Sequence, residues 1–397
     1  MLEDQMIDLK KIRQDTPGSS QRIHFNNAGS SLPPQQVIRK MEEYLELEAQ
    51  IGGYNAADES KSEINSFYVE AAKLINASSV EEIAFSESAT HAWQKIFYSL
   101  ELGPKDTIIL FDNEYISFYL SVLQQQKRIG FKPVITGSNE QGDIDLDTFK
   151  KTLDSSVKAV LLGHMPTQSG ILNPAEEVGA ILQDHSAKYI LDATQTVGQY
   201  PIDVEKIQCD ALCGTGRKFL RGPRGTGFLY AKQNFAESLN PVVIDLGSAH
   251  WTSEGKYDLF PGTRRFECWE KNYAAMIGLT EAIRYANELG IENIWERTHK
   301  LGTMLREGLR NIDGVTICDP GTKHGAIVTF TLKGHSCLDI MKTLYQQNIT
   351  IHYSMREYAP LDFGKRGLEE ACRASPHYFN LEEEVDQVIH AIKHLAC

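Results

Sequence analysis

The stretch that decides the fold reads GTGRKFLRGPRGTGFLY and spans residues 214–230. It places one lysine, Lys218, among small and basic residues, and a glycine-rich turn and an apolar run follow it. An amine that forms a Schiff base needs a positive environment that eases its deprotonation, and Thr215 and Arg217 add donors for a phosphate. The pattern indicates a lysine that reacts with a phosphorylated aldehyde. A basic surface loop is the alternative, since lysine beside arginine is typical of a solvated face.

The preceding segment KYILDATQTVGQ, residues 188–199, favours the first interpretation. Its apolar run ends in Asp192, and Gln195 follows three residues later. A carboxylate at the C-terminal end of a buried strand can hold a proton on a pyridine nitrogen, which makes the ring an electron sink. Asp192 could instead be a helix N-cap. The order of strand, acid, amide and lysine predicts a cofactor site.

Further segments extend the pattern over nearly the whole chain: HFNNAGSSLPP (24–34), FSESATHAW (85–93), FDNEYISFY (111–119), HMPTQSGILNP (164–174), RRFECWE (264–270) and CRASPHYFN (372–380). In this ordered set the chain resembles the class V, fold-type I pyridoxal-phosphate enzymes. That family includes cysteine desulfurases, kynureninases, isopenicillin-epimerase-like proteins and amino-acid C–S lyases. The resemblance implies pyridoxal 5'-phosphate as the cofactor and an amino acid as the small-molecule substrate.

Apolar runs that alternate with amphipathic stretches predict an α/β protein with a mostly parallel, doubly wound sheet. The resemblance makes this a fold-type I transferase fold with a smaller α+β C-terminal domain. We expect a large cofactor-binding domain at 20–258 and a small domain at 259–397, which also takes in residues 1–19. The candidate strands of the large sheet are 83–85, 107–111, 133–136, 159–162, 189–191 and 227–231.

Composition indicates a metabolic enzyme in the cytoplasm. The formal net charge of −13 argues against nucleic acid as a partner. No apolar run reaches 18 residues, so no membrane span is expected, and the charged start MLEDQMIDLKKIRQD is unlike a secretory signal. The seven cysteines lack the spacing of a zinc site, and their odd number argues against a disulfide framework. No metal is expected.

The resemblance assigns a set of cofactor-binding residues: Ser88, Ala89, Thr90, Thr167, Gln195, Thr215 and Arg217. The first three would bind phosphate at a helix N-terminus, although Ser88 and Thr90 could be ordinary N-caps. Thr167 and Gln195 would face the phenolic oxygen of the cofactor. Tyr115, where desulfurases have histidine, would stack on the ring as a catalytic residue beside Lys218 and Asp192; a tyrosine of the core or surface is the alternative.

Substrate contacts are expected from Arg373, Asn27 and Arg356. Arg373 matches the family residue that clamps the substrate α-carboxylate, with a surface ion pair as the alternative. Arg356 suits an anionic or polar substrate tail, but a solvated loop explains it equally well.

Two departures from the desulfurase pattern affect the predicted reaction. Residues 351–367 contain no cysteine, whereas desulfurases carry a mobile one shortly before the substrate arginine. Trp269 and Glu270 replace the Gly-Thr that binds phosphate from the partner subunit.

The segments RKFLRGPRGTGFLY (217–230), RRFECWE (264–270) and RASPHYFNLEEEV (373–385) together resemble most closely the branch with the hercynylcysteine sulfoxide lyases and related C–S lyases. We therefore expect a C–S lyase that performs β-elimination on a cysteine-derived amino acid, working as a homodimer. A class V aminotransferase or an amino-acid epimerase needs the same lysine, aspartate and arginine. A cysteine desulfurase is less favoured, and a scaffold that binds the cofactor without turnover is disfavoured by the presence of Lys218 and Asp192.

Overall fold

The computed structural model describes residues 7–396. Within that range the strands are β1 (Ile23–His24), β2 (Ile83–Ser86), β3 (Thr107–Phe111), β4 (Lys132–Thr136), β5 (Val157–Gly163), β6 (Lys188–Asp192), β7 (Ala211–Thr215), β8 (Gly227–Ala231), β9 (Ala249–Ser253), β10 (Lys256–Leu259), β11 (Val315–Ile317), β12 (Val328–Leu332), β13 (Ile349–Thr350), β14 (His352–Met355) and β15 (Glu370–Ala374).

The helices of the same range are α1 (Leu9–Gln14), α2 (Gln35–Ile51), α3 (Gly53–Glu59), α4 (Lys61–Leu74), α5 (Ala89–Phe97), α6 (Ile116–Ile129), α7 (Leu146–Thr152), α8 (Ala175–Leu182), α9 (Val204–Ile207), α10 (Gln233–Ser238), α11 (Tyr273–Leu289), α12 (Ile291–Arg310), α13 (Cys337–Gln346), α14 (Pro360–Arg366) and α15 (Glu382–Leu395). None of these helices has the length and apolarity that a membrane span requires.

A seven-stranded sheet in the order β2-β8-β7-β6-β5-β3-β4 confirms the α/β prediction. The neighbours from β4 to β7 pair in parallel, and only β8 runs against both of its neighbours. Strands β3, β5, β7 and β8 are buried at every position, as expected of a sheet covered by helices on both faces, apart from the exposed Lys158 in β5. After β3 the chain adds β4 on one side and β5 on the other, so the strand order reverses there. Ligand sites of doubly wound sheets lie at such a reversal, at the carboxyl ends of the strands.

All six predicted strands of this sheet are present, but the prediction lacked a seventh, β7. Its sequence Ala-Leu-Cys-Gly-Thr has a weak apolar pattern, and it is fully buried because it lies between β6 and β8. The strand carries the chain directly to Lys218.

The second unit is the antiparallel sheet β11-β12-β15-β14, covered by α12, α13 and α15. The N-terminal segment packs against this second unit, because β1 pairs with β13 and Asn26 forms a β-bridge with Ser375. Helix α11 packs instead on α2 and α4 and joins the core of the large sheet through Met276 and Ile283. The domain limit at residue 259 stays a prediction. Helix α11 follows that limit in the sequence, yet it packs on the large domain.

The last strand of this unit, β15, ends at Ala374, and Tyr378 and Phe379 beyond it pack in the core of the large domain. The carboxylate of Glu384 caps the start of α15. It accepts from Asn380 Nδ2 at 2.8 Å and from the main-chain N–H of Leu381 at 3.1 Å.

Candidate active site

A cavity of about 280 Å³ opens at the carboxyl ends of the parallel strands. Ten residues that the sequence assigned to one site line it together: Ser88, Ala89, Thr90, Tyr115, Thr167, Asp192, Gln195, Thr215, Arg217 and Lys218. They come from the start of α5 and from the segments that follow β3, β5, β6 and β7. The strand-end rule for doubly wound sheets explains why residues so distant in sequence meet here.

One end of the cavity is built for an anion. Ser88 is the N-cap of α5, and its hydroxyl accepts from the N–H of His91 at 3.1 Å. The N–H groups of Ala89 and Thr90 lie in the first turn, where they have no intrahelical acceptor. Strand β8 backs onto this turn so closely that a Cβ at Gly227 would lie 3.0 Å from the carbonyl carbon of Ser88. Only glycine therefore permits this packing.

Arg217 adds a cation at the cavity wall. Its guanidinium has no ion pair and no hydrogen bond with any described residue. Burial lowers the pKa of Arg217, and the nearby charge of Arg224 lowers it further. An arginine without an acidic partner beside a helix N-terminus favours an anion such as a phosphate.

Asp192 occupies the last position of β6 and faces the cavity. Its Oδ1 accepts from the main-chain N–H of Thr194 at 2.9 Å and from the Cys213 thiol at 3.6 Å. Burial raises the pKa of Asp192, while the bonds from Thr194, the charge of Lys218 and the thiol act against that rise. A positively charged ring nitrogen beside this carboxylate would be stabilised by it.

Lys218 follows β7 in a tight turn, in which the N–H of Arg221 donates to the Lys218 carbonyl at 2.9 Å. Arg221 has a φ of +63° and is buried, and its guanidinium fixes the turn by donating to Leu32 O at 2.8 Å and to the Tyr378 hydroxyl at 2.7 Å. The pKa of Lys218 is well below its usual range, first because of burial and then because of Arg217 and Arg373. A lowered pKa favours the unprotonated amine, which is the form that acts as nucleophile and base.

Thr167 connects two residues of the site, Gln195 and Arg373. Its hydroxyl oxygen accepts from Gln195 Nε2 at 2.7 Å and from Arg373 Nη1 at 2.5 Å. Gln195 Oε1 and Arg373 Nε are buried and have no partner among the described residues. Such unsatisfied polar atoms indicate that a ligand completes the network.

Arg373 reaches the cavity from the second domain, on β15. Arg373 is 8% exposed, yet no carboxylate of the described residues pairs with it. Burial lowers its pKa to about 10, so it stays charged at neutral pH. A buried cation without a counter-ion is costly, and a substrate carboxylate would neutralise it.

The two other predicted substrate residues lie elsewhere. Asn27 is fully buried, and its amide donates to Ser375 O at 2.8 Å and His24 O at 3.2 Å while its oxygen accepts from Ser31 at 2.6 Å. It holds the N-terminal segment against the second domain. Arg356 is exposed, pairs with Glu369 at 2.6 Å and is not among the residues that line the cavity.

The structure adds site residues that the sequence interpretation did not single out, above all Asn113 and Glu114, which follow β3. Asn113 lines the cavity, and Glu114 is buried beside it with its Oε1 accepting from the N–H of Gly163 at 2.8 Å. Burial raises the pKa of Glu114 well above its usual range, which favours the protonated carboxyl. The strand-end position that identified Asp192 would have identified both. In residues 7–396 no three His, Cys, Asp or Glu side chains are grouped as metal ligands.

These features fit pyridoxal phosphate. The α5 N-terminus and Arg217 would hold the phosphate, Asp192 would face the ring nitrogen, and the Thr167 hydroxyl could donate to the phenolic oxygen. Lys218 Nζ would meet the aldehyde. Tyr115 lines the same space and is 39% exposed, so its ring is available to pack against the cofactor.

Comparisons with known proteins agree with this fit. The sequence model of the family described as aminotransferase class-V matches residues 23–388. A probable cysteine desulfurase of Synechocystis sp. is 29% identical over 402 residues, which cover 96% of this chain and 94% of that protein.

Solved structures extend the comparison to the fold. The apo structure of a cysteine desulfurase from Thermococcus onnurineus NA1 superposes with a TM-score of 0.90 at 27% identity, covering 100% of this chain and 99% of the other. A mutant of C-DES with glycine covalently linked to its PLP cofactor has a TM-score of 0.87 at 21% identity and covers 96% and 98% of the two chains. The fold-type I prediction is thereby confirmed.

Proposed function

The chain belongs to the class V aminotransferase family and is a pyridoxal-phosphate enzyme, and from this premise we propose that it cleaves the C–S bond of a cysteine-derived amino acid by elimination. The relatives named above are desulfurases of cysteine, which supports a sulfur amino acid as substrate. The observation that carries elimination is the absence of cysteine from residues 351–367. The comparisons give no support to the narrower sulfoxide lyase.

The substrate is held at its acidic end. Arg373 has two guanidinium nitrogens directed at the Thr167 and Asn26 side of the cavity, at 2.5 Å from Thr167 Oγ1 and 3.4 Å from Asn26 Oδ1. A carboxylate that displaces the weaker of these contacts would gain a charge-assisted bond in a buried setting. The substrate Cα would then lie between Arg373 and Lys218.

Bound pyridoxal phosphate supplies an aldehyde for the substrate amine and a ring that withdraws electrons from the substrate Cα. Lys218 Nζ, whose pKa is lowered by burial, would take the proton from Cα as a general base. The carboxylate of Asp192 would keep a proton on the ring nitrogen. Departure of the thiolate from Cβ and hydrolysis then give a thiol, pyruvate and ammonia, so that one water is consumed for each C–S bond broken.

The segment 351–367 has its own structure in place of a mobile thiol. It contains β14, a 3-10 turn at Arg356–Tyr358 and α14. Lys365 Nζ ties α14 to the large domain through Asp112 at 2.9 Å and Ser138 O at 3.0 Å. Of the six cysteines that the structure describes, none lines the cavity. A persulfide that forms during desulfuration needs a thiol that reaches the substrate.

A cysteine desulfurase is the second candidate, since that is what the relatives are named. The products separate the two reactions. We expect the purified enzyme to form pyruvate and ammonia in equal amounts from cysteine or an S-substituted cysteine. Formation of alanine together with protein-bound persulfide would establish a desulfurase instead, and conversion that requires an added keto acid would establish an aminotransferase.

The cysteines provide an independent check of the same proposal. Replacing each of the seven with serine should leave elimination within about threefold of the parent rate, because no thiol takes part in the chemistry. Loss of only the chemical step in one variant would assign that cysteine as a sulfur acceptor and contradict elimination.

We also propose a homodimer. Apolar side chains stand exposed on the segment before the β9–β10 hairpin and on the hairpin itself, with Val243, Leu246 and Trp251 exposed by 61%, 63% and 76%. Such a cluster is typical of a protein interface. Trp269 lies near this cluster, and the main-chain N–H of Trp269 donates to Asp245 Oδ2 at 2.9 Å.

Mixing subunits tests whether the dimer completes the site. Inactive Lys218→Ala and an inactive Trp269→Ala/Glu270→Ala double variant should restore activity when their subunits exchange, because one hybrid site is then intact. A monomer in sedimentation, or exchange without restored activity, would contradict a shared site. Cytoplasmic localisation stays a prediction.

A further inference from the structure

Asp192 has an unusual neighbour on the adjacent strand. Cys213 is its register partner in the parallel pair β6–β7, and the N–H of Ala193 donates to the Cys213 carbonyl at 3.0 Å. The pairing brings the thiol Sγ to 3.6 Å from Asp192 Oδ1. Cys213 is 1% exposed, so water cannot replace this contact.

We propose that Cys213 is a positioning residue for the cofactor: its S–H bond, together with the N–H of Thr194, engages Asp192 Oδ1 and leaves Oδ2 to hold the proton of the ring nitrogen. A thiol is a weak donor and a small apolar group at once. It can therefore stabilise a buried carboxylate without admitting water beside β7. A serine hydroxyl would be a stronger donor but would fill less of the space.

The thiol remains a donor over the whole working range of pH. Burial, and then the charge and acceptor oxygen of Asp192, raise the pKa of Cys213 well above its usual range. The other titratable groups that interact with Asp192 are Lys218, whose charge lowers the pKa of Asp192, and Glu114, whose own pKa is raised by burial. Each hydrogen bond that the Asp192 carboxylate accepts favours its charged form.

Loss of the donor has a defined direction. Without the thiol the carboxylate of Asp192 is less stable, its proton affinity rises, and it draws the shared proton away from the ring nitrogen. The ring then carries less positive charge. We expect the ratio of protonated to unprotonated ring nitrogen to fall by roughly threefold, which corresponds to about half a pKa unit.

The experiment measures the ring nitrogen itself. Enzyme loaded with pyridoxal phosphate labelled with ¹⁵N in the ring is studied by solid-state NMR at fixed pH, where the ¹⁵N shift reports ring protonation without any turnover. Three variants separate hydrogen bonding from packing: Cys213→Ala removes donor and bulk, Cys213→Val removes the donor but keeps apolar bulk with one added methyl group, and Cys213→Ser removes bulk but keeps a donor. Cys209→Ala is the matched control, because Cys209 is equally buried and belongs to the other side of the sheet core.

The proposal expects the Ala and Val variants to move the ¹⁵N shift toward neutral pyridine while the Ser variant and Cys209→Ala stay with the parent. A shift in Ala and Ser but not in Val would follow bulk, and would overturn it. So would an unchanged shift in both Ala and Val. Because the measurement uses no substrate, a failure of C–S elimination leaves this result intact, whereas enzyme that binds no cofactor would contradict the cofactor assignment.

Discussion

The carboxyl edge of the large sheet and the segment 351–367 contribute to the same region of the molecule. Their basic side chains differ, because those at the sheet edge have no ion pair within the described part of the chain and those of the segment do. At the sheet edge and on β15, Lys218, Arg217 and Arg373 have no acidic partner among the described residues. In the segment the three basic side chains are all paired: Arg356 with Glu369, Lys365 with Asp112 and Arg366 with Asp362.

This difference distinguishes side chains that bind a ligand from side chains that hold the fold together. Unpaired buried cations destabilise a protein and persist where a ligand supplies the opposite charge. The paired charges of the segment are satisfied within the protein, so they fix its position rather than bind an anion. The predictions below test that division.

Replacement of Lys218 should have the largest effect. Lys218→Ala removes both the amine that joins the cofactor and the base for Cα, so we expect elimination to fall by a factor on the order of 10³ or more. Borohydride should no longer attach the pyridoxal phosphate covalently to the protein, as absorbance and mass measurements would show. A reducible chromophore that survives in this variant would remove Lys218 from its role.

Substitutions of Arg373 and Arg356 compare the two regions directly. Arg373→Lys keeps the charge but loses the forked geometry, so KM should rise by roughly tenfold to a hundredfold with a smaller change in kcat. Arg356→Lys is the matched control, and its KM should stay within about twofold because Glu369 already satisfies that side chain. Steady-state kinetics on one substrate decide between them, and equal effects would make Arg356 a substrate residue after all.

The ten cavity residues could be predicted from sequence because Lys218 and Asp192 stand in distinctive local patterns and the family resemblance assigns the other eight, and strand order explains why they meet. Asp192 ends a strand, Thr167 and Tyr115 follow other strands of the same sheet, and Ser88 begins a helix beside them. Each position depends on a local pattern and on the rule that parallel strands end at one edge. Distances of many residues along the chain therefore did not matter.

The features that sequence missed depend on tertiary contacts. Strand β7 owes its burial to two neighbouring strands rather than to its own composition, so Cys213 gave no sign of its proximity to Asp192. Asn27 stands in a segment that resembles a binding loop, yet Ser375 and Ser31 occupy its polar atoms. Arg356 looked available because its partner Glu369 lies beyond a helix. Polar side chains cannot be assigned to substrate until their partners are known.

Burial of the Lys218 amine should destabilise the apoenzyme. The native pKa of Lys218 lies below the unfolded value of about 10.4. Between these two values the unfolded chain binds one proton more than the native protein, so stability rises with pH across that window. Lys218→Met has no such group, and its apo form should melt a few degrees above the parent at pH 7.

The advantage should shrink as the pH approaches the unfolded value, since the parent then recovers stability. Calorimetry on both apo forms at several pH values measures it, and apo forms are required because cofactor would stabilise only the parent. A lower melting temperature for Lys218→Met at pH 7 would mean that the amine has a partner that compensates for its burial.

Lys365→Met on α14 should give the smallest effect, with the opposite sign. The side chain is half exposed, and its pair with Asp112 joins α14 to the large domain, so its loss should lower the free energy of unfolding by about 1 kcal/mol or less. High salt should reduce the difference, because exposed charge pairs are screened. Lys158→Met is the control, since Lys158 is similarly exposed and approaches Asp106 only at 4.0 Å. If Lys365→Met instead stabilised the protein as Lys218→Met is expected to, the paired segment would be carrying strain, and the contrast between the two regions would not hold.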